Sequence, residues 1–467
     1  MHNLLLLTDS YKVSHHVQYP PGTEYLYSYW ESRGGLHPET VFFGLQYLLQ
    51  EYLTEPVTFA DIEYAEERFK LHFGNDRVFN REGWKHIVRA HGGYLPLRIK
   101  AVPEGTVVPI RNVMLTVENT DPEVPWLTNY METLLCQLWY PTTVATISRE
   151  IKRNIGRYLE ETGDLDGLPF KMHDFGFRGS TSVESAGIGG VAHLVNFMGT
   201  DTMVALEVAL KYYDEPMAGF SIPAAEHSTI TSWGRENEYE AFRNMINHFG
   251  GKGTEGGGLY AVVSDSYNIF KACEAWGGEL LQEVRDAPNM LVVRPDSGTP
   301  HVVVMQVIET LDKGFGHSVN FKGYKVLDGV RVIQGDGVDP AEINRILESL
   351  KVRGWSADNI AFGMGGGLLQ KMDRDTQQFA FKAAHISGTY GDRDVYKEPV
   401  TDQGKRSKRG YLRLIENEDG TLETISAWRY GRPDVLRTVY ENGLLKVRDT
   451  LSMIRERADI QSYVEAV

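Results

Sequence analysis

Seven loops in the middle of the chain hold most of the side chains able to do chemistry. In order they are His173-Asp174-Phe175-Gly176-Phe177-Arg178, Gly199-Thr200-Asp201, Pro223-Ala224-Ala225-Glu226-His227-Ser228, Ser264-Asp265-Ser266, Arg294-Pro295-Asp296-Ser297-Gly298, Gly335-Asp336-Gly337 and Gly363-Met364-Gly365-Gly366-Gly367. At Gly335-Asp336-Gly337 and Gly365-Gly366-Gly367 the missing side chains let backbone N–H groups close on phosphate oxygens ahead of a helical pattern. Tight turns use the same residues, but two consecutive loops late in an α/β series favour a phosphate site. Arg178 and Arg294 can clamp a pyrophosphate in bidentate fashion, or tie two loops together through an aspartate. Asp265, Asp296 and Asp336 can hold a magnesium–phosphate complex or sugar hydroxyls, and any of them can instead cap the helix that follows; Asp265 is the strongest cap candidate. His227 enters a helix in Ala-Glu-His-Ser-Thr, with Ser228 as a candidate cap, and by composition alone reads as structural.

The elements that position these loops follow from their rhythm. Each loop closes a short apolar run and opens a helical pattern, at gaps of roughly 25 to 40 residues, the length of one strand and one returning helix. Seven such units predict an irregular (β/α) barrel-like domain over residues 151–374, with an open doubly wound sheet as the competing architecture. In both, ligands gather at the carboxyl ends of strands, where these loops fall. The flanks, residues 1–150 and 375–467, predict one mixed α+β domain. Leu4–Leu7 reads as a first buried strand, and Tyr25–Glu31 and Leu97–Pro109 as further strands. Ala60–Phe73, Trp126–Tyr140 and Thr142–Glu161 read as helices. Gln377–Ser387 and Leu412–Ile425 read as strands around a basic loop, and Leu451–Val467 as a helical tail. Gly250–Gly258 reads as a flexible connector; its Gly-Lys-Gly-Thr lacks the first glycine of a nucleotide P-loop, because Ile246 stands there.

Composition narrows the partners. The 467 residues are 42% hydrophobic and 24% charged, ordinary for a globular chain, with a formal net charge of −15. That balance argues against a nucleic-acid surface yet permits a local anion pocket. Cys136 and Cys273 are the two cysteines, without Cys-x-x-Cys or His-Glu-x-x-His spacing for zinc, so a reducing, cytoplasmic setting fits. No run approaches the ~18 apolar residues of a membrane span.

The segments TDSYKVSHHVQYPPGTEYLYSYWESR, HDFGFRGSTSVESAGIGGVAHLVNFMGTDT, IPAAEHSTITSWG, VVSDSY, RPDSG, RVIQGDGVD, AFGMGGGLLQKMDRD and KRSKRG, in this order, closely resemble the nicotinamide phosphoribosyltransferases, from Leu4 past Gly410. The resemblance implies transfer of a phosphoribosyl group from phosphoribosyl pyrophosphate to nicotinamide in NAD salvage. It also implies ATP as a coupled substrate, magnesium held mainly by substrate phosphates, and a homodimer with shared active sites. It places Phe175 on one face of the nicotinamide ring and Tyr11 of the other subunit on the opposite face, with Asp201 accepting from the carboxamide. Arg178, Arg294, Gly365 and Gly366 would hold phosphates, and Asp296, Gly335 and Asp336 the ribose and nucleotide. Arg33, Arg374, Lys382 and Lys397 would reach the phosphates from the partner chain. His227 matches the family's phosphorylated histidine, with Asp265 and Asp296 counted beside it as catalytic. Departures from the vertebrate pattern are Phe177 for a tyrosine, Ala261 for a serine in the ligand channel, Ala380 near the partner-chain phosphate contacts, and a shorter loop after Arg33. The related nicotinate enzymes share this architecture; the charge of Asp201, which welcomes an amide and repels a carboxylate, separates the two. A non-catalytic binding protein on the same fold would be expected to lack the arginines or strand-end aspartates, and all are present.

Overall fold

Runs such as LYAVV, MLVVR and VRVIQ are apolar on both faces, the pattern of parallel strands covered by helices. The computed structural model describes residues 3–251, 257–401, 403–426 and 432–463. They divide into two compact units, one built from 1–146, 211–215 and 372–458, the other from 147–210, 216–371 and 459–467. Against the expected boundaries, 211–215 join the first unit and the described residues after Ala458, 459–463, join the second.

The second unit is an α/β barrel. Its six-stranded sheet runs in the order Gly199–Thr200, Met172–Asp174, Ile360–Met364, Val330–Gln334, Met290–Arg294, Leu259–Val263, with every pairing parallel. The two edges are joined by one extended stretch, which bridges Gly199 through Phe220 and Ala261 through Ala224. The Phe220 carbonyl accepts from Thr200 N at 3.0 Å, and Ala225 N donates to the Ala261 carbonyl at 2.9 Å. The seven staves therefore follow one another around the ring in chain order, which excludes the open doubly wound alternative. Ala261, Val292 and Ile333 fill the interior, with Phe175, Ile222 and Ala361 packed against them. Helices such as Val183–Leu194, Pro300–Phe315 and Pro340–Val352 return the chain between strands.

The first unit centres on a seven-stranded sheet in the order Arg393–Asp394, Phe379–Gly388, Thr23–Ser32, Val113–Asn119, Leu97–Ala101, Arg437–Glu441, Leu444–Leu445. Its strands alternate more visibly: Leu97–Ala101 buries Leu97, Ile99 and Ala101 and half-exposes Arg98 and Lys100. Register sets Tyr29 opposite Lys382 and Glu31 opposite Ala380. Because side chains alternate, Arg33 falls on the face that carries these residues.

Several local expectations are corrected. Leu4–Leu6 is a 3₁₀ turn, because Asn3 Oδ1 accepts from Leu5 N and curls the chain, although Leu4 and Leu5 are buried as expected. The Trp126–Tyr140 helix is two short pieces, Leu127–Tyr130 and Glu132–Cys136, and a new helix begins at Trp139. Pro141 explains that start, since a residue without an N–H is tolerated in a first turn. The tail helix ends at Ala458, and residues 464–467 lie outside the described residues. So do 252–256, within the expected flexible connector.

Candidate active site

Phe175 is the fixed point of the barrel mouth. It follows the strand Met172–Asp174, and its backbone N donates to the Met364 carbonyl at 3.0 Å. Its ring lies over two glycines. A Cβ on Gly363 would stand 1.9 Å from Phe175 Cε2, and one on Gly335 would stand 3.2 Å away. Gly363 is thus required by the ring's seat, besides any role with phosphate, and a side chain on Gly335 would press on it. The Arg294 guanidinium carbon sits 5.6 Å from the ring centroid, within cation–π range.

Arg294, at the end of Met290–Arg294, donates from Nη2 to Asp296 Oδ1 at 2.9 Å and from Nε at 3.2 Å. Asp296 is held in turn, because its N–H donates to Asp265 Oδ2 at 3.1 Å. The other oxygen of Asp265 meets His227 Nε2 at 2.8 Å, and His227 Nδ1 stands 3.8 Å from Asp296 Oδ2. Asp265 is therefore no helix cap; Asn268 caps the helix Ile269–Trp276. Nor does Ser228 cap. The cap of His227–Thr231 is Glu226, to which the Ser228 hydroxyl donates. With Nε2 turned to Asp265, Nδ1 is the ring nitrogen left facing away from it, on a side chain that is 46% exposed.

Asp201 follows the neighbouring strand, Gly199–Thr200, and its N–H donates to the Asp174 carbonyl at 3.0 Å. Its carboxylate is exposed and accepts from Ser221 Oγ through one oxygen, leaving the other for a ligand. Asp174 lies buried beneath the Phe175 loop, where Oδ1 accepts from Gly176 N at 2.7 Å. Burial pushes its carboxyl up to about 6, against the pull of that hydrogen bond. Arg178 projects into solvent from the 3₁₀ turn Phe177–Gly179, and a Cβ on Gly179 would lie 3.7 Å from Gly366. No described residue would crowd a side chain on Gly366, so among these residues its backbone faces open space. The helix it opens, Gly366–Leu369, is a single turn. Asp336 is exposed ahead of Pro340–Val352, and Gln334 Nε2 donates to its carbonyl at 2.7 Å. Of the departures, Ala261 is in the barrel interior and Phe177 is exposed.

The remaining expected residues belong to the other unit. There Arg33, Arg374, Lys382 and Lys397 come together around a cavity of about 540 Å³, joined by Lys405, Ala380, Glu132 and Cys136. Glu31 receives Arg33 Nε at 3.3 Å, while Arg33 Nη2 is buried without a hydrogen-bond partner among the described residues. Burial lowers the Lys382 pKa, and nearby Arg33 and Lys397 depress it further, against Glu132. Burial pushes the Cys136 thiol up to about 12, so this cysteine is no thiolate nucleophile. Tyr11 is 58% exposed, beside Lys12, which pairs with Glu132 at 2.6 Å. The basic run Lys405–Arg409 is not simply solvated. Arg406, Lys408 and Arg409 line a second cavity of about 600 Å³ with Arg33 and Arg111.

Sequence reasoning missed Ser221, Glu31 and the buried state of Asp174. Ser221 and Glu31 lie one or two positions from motif residues in extended chain, and only strand register reveals whom they face.

A sequence profile of the nicotinate phosphoribosyltransferase family matches residues 170–444, and one of the nicotinamide phosphoribosyltransferase N-terminal domain matches residues 3–99. The chain is 51% identical over 466 residues to a protein named nicotinamide phosphoribosyltransferase from Xanthomonas campestris pv. campestris, covering 98% of each. A protein of the same name from Acinetobacter baylyi is 35% identical, covering 97% of each. Among solved structures, a nicotinate-nucleotide pyrophosphorylase from Pyrococcus furiosus matches with a TM-score of 0.61 at 15% identity, over 98% of this chain and 94% of that one. The human nicotinic acid phosphoribosyltransferase matches at 0.53 and 14%, over 97% and 93%. On profile, on relatives of nearly full length and on a shared fold, this chain belongs to the nicotinate phosphoribosyltransferase family.

Proposed function

We propose that the chain transfers the phosphoribosyl group of phosphoribosyl pyrophosphate to the ring nitrogen of nicotinamide, giving nicotinamide mononucleotide and pyrophosphate in cytoplasmic NAD salvage. The observation that carries this reading is Phe175, seated on two glycines beneath Arg294, with Asp201 on the adjacent strand end. A planar heterocycle stacks on such a ring, and a carboxylate with one free oxygen accepts from a carboxamide NH2.

The C–N bond forms at the ribose anomeric carbon while the C–O bond to pyrophosphate breaks. The ring nitrogen brings its own lone pair, so no general base is needed. The site has to hold the ring in line and neutralise the leaving group. Arg294 and Arg178, with the backbone at Gly365 and the open position at Gly366, take the phosphates. Asp296, Gly335 and Asp336 take the ribose and nucleotide. Magnesium fits this arrangement as an ion carried mainly by phosphate oxygens. Both oxygens of Asp265 are already engaged and Asp296 Oδ1 faces Arg294, which leaves Asp296 Oδ2 and exposed Asp336 as protein oxygens for it. It would offset the negative charge of pyrophosphate.

His227 is the acceptor of the ATP γ-phosphoryl group: an N–P bond forms at Nδ1 as the bond from the γ-phosphorus to the β-bridging oxygen breaks and ADP leaves, with Asp265 fixing the tautomer and supporting the ring's charge. The chain works as a homodimer in which Tyr11, Arg33, Arg374, Lys382 and Lys397 serve the partner's site. Purified protein, assayed for mononucleotide formation with nicotinamide or nicotinate, with and without ATP, tests the whole reading. Nicotinamide should be the better base, and ATP should raise its use. His227→Ala should stop ATP hydrolysis while sparing residual synthesis. Equal kcat/KM for the two bases, or full ATP turnover by His227→Ala, would overturn the corresponding assignment.

A further inference from the structure

The first unit brings two imidazoles onto one carboxylate oxygen, using none of the candidate site residues. His86 Nε2 lies 2.7 Å and His91 Nε2 2.6 Å from Asp121 Oδ2. No motif spacing announces this, because Asp121 stands thirty residues beyond His91. Both histidines are on the helix Arg81–His91, five residues apart, which turns roughly 140° around the axis. Their rings, 5.9 Å apart and inclined at 72°, therefore approach the oxygen from different directions.

We infer that His86, His91 and Asp121 form a binding site for a zinc-type divalent cation, with a fourth position open to solvent. Two neutral imidazoles and a carboxylate are a ligand set that suits zinc and neighbouring first-row ions. The three donor atoms lie within 4.8 Å of one another. A tetrahedral zinc with bonds near 2.0–2.1 Å needs ligand atoms about 3.3 Å apart. Small side-chain rotations reach that spacing, and the side chains are free enough to make them, His86 being 36% and His91 28% exposed.

The scaffold under the cluster is stiff. Asp121 Oδ1 accepts from Glu123 N at 2.9 Å, and Asn119 Nδ2 donates to the Asp121 carbonyl at 2.7 Å. Trp84, on the same helix, is buried against Trp126 and Tyr130 with ring centroids 5.1 and 5.2 Å away. A bound ion would clamp the helix end to the chain leaving the strand Val113–Asn119.

Zinc binding by the full chain, measured by equilibrium dialysis, tests the site. His227 with Asp265 and Asp296 is a second histidine–carboxylate cluster, so His227→Ala serves as the control. One zinc should be retained in His227→Ala, and affinity should fall at least about ten-fold in His86→Gln and His91→Gln. Glutamine can keep a hydrogen bond to Asp121, so these variants should fold and retain synthesis, as circular dichroism and mononucleotide formation would show. Substituted cobalt should give the visible d–d bands of a tetrahedral ion in the parent and lose them in both glutamine variants. No bound zinc in the parent, or unchanged binding in the His86→Gln/His91→Gln double variant, would reduce the trio to a hydrogen-bonded clamp and end the proposal.

Discussion

At the barrel mouth charge is cancelled where it stands, whereas in the cavity of the antiparallel unit it accumulates. Arg294 faces Asp296 and His227 faces Asp265, each within 3 Å. Among the described residues, the cations Arg33, Arg374, Lys382, Lys397 and Lys405 outnumber the carboxylates beside them, Glu31, Glu132 and Asp375, and one buried guanidinium nitrogen of Arg33 has no acceptor there. Matched pairs fix geometry and suit a reacting centre that must hold atoms in line. Crowded cations repel one another and are relieved by a polyanion, so they suit capture of phosphate groups with little demand on angle. In the proposed reaction the first region positions and the second neutralises.

The sharpest way to break that contrast is to remove its two guanidinium groups separately. Arg294→Ala should lower kcat/KM for mononucleotide formation about 10³-fold, because it loses a phosphate clamp and leaves Asp296 unpaired. Arg33→Ala should act more on the KM for phosphoribosyl pyrophosphate, by roughly ten-fold, and more so at low salt. If active sites are shared between subunits, mixing Arg294→Ala with a chain in which Arg33, Lys382 and Lys397 are all alanine should restore roughly a quarter of parental activity, since half the dimers are hybrids with one intact site. Recovery no greater than the sum of the two variants would place both regions in the service of one chain's own site.

Next in size is Gly363→Ala. The new methyl would occupy the space of the Phe175 ring, 1.9 Å from Cε2, so the ring must tilt. A displacement of that order costs about 10²-fold in kcat/KM, with the fold preserved by circular dichroism. An unchanged rate would show that the seat of Phe175 is irrelevant to catalysis. Asp201→Asn is milder. It should shift the nicotinamide-to-nicotinate preference toward nicotinate by roughly ten-fold, through loss of like-charge repulsion; an unaltered ratio of kcat/KM values sinks the role given to Asp201.

The same contrast explains what could be read from the sequence. Barrel-mouth residues sit in contiguous loops at strand ends, so the loops holding Phe175, Asp201, Asp296 and Gly335 announce themselves by the strand–loop–helix rhythm; the roles of Phe175 and Asp201 needed the family resemblance, and closure of the ring needed the bridges at Phe220 and Ala224. The cationic cavity is assembled from positions over three hundred residues apart, brought together by the pairing of Thr23–Ser32 with Phe379–Gly388. Composition shows only isolated basic residues there, and the family resemblance was needed to group them. Local chemistry also hid details. Asp265 looked like a helix cap until Asn268 was seen in that role, and Leu4–Leu7 lost its strand to one asparagine side chain. His86, His91 and Asp121 had no motif at all.

Asp174 gives the smallest expected effect and tests whether the barrel mouth is preorganised at a cost in stability. Its carboxyl titrates near 6 in the folded chain, against an ordinary carboxylate in the unfolded one. Between those values the native state binds more protons than the unfolded state, so stability falls as pH rises through that window. Asparagine can keep the acceptor for Gly176 N and carries no charge to bury. Asp174→Asn should therefore match the parent more closely near about pH 5 and exceed it near about pH 7.5, by on the order of 2 kcal/mol. In thermal melts this is a difference of roughly 2–4 °C that opens with pH. Parallel melting curves across that range would mean that Asp174 is already relieved by solvent or a neighbour, and that the floor of the Phe175 loop stores no such strain.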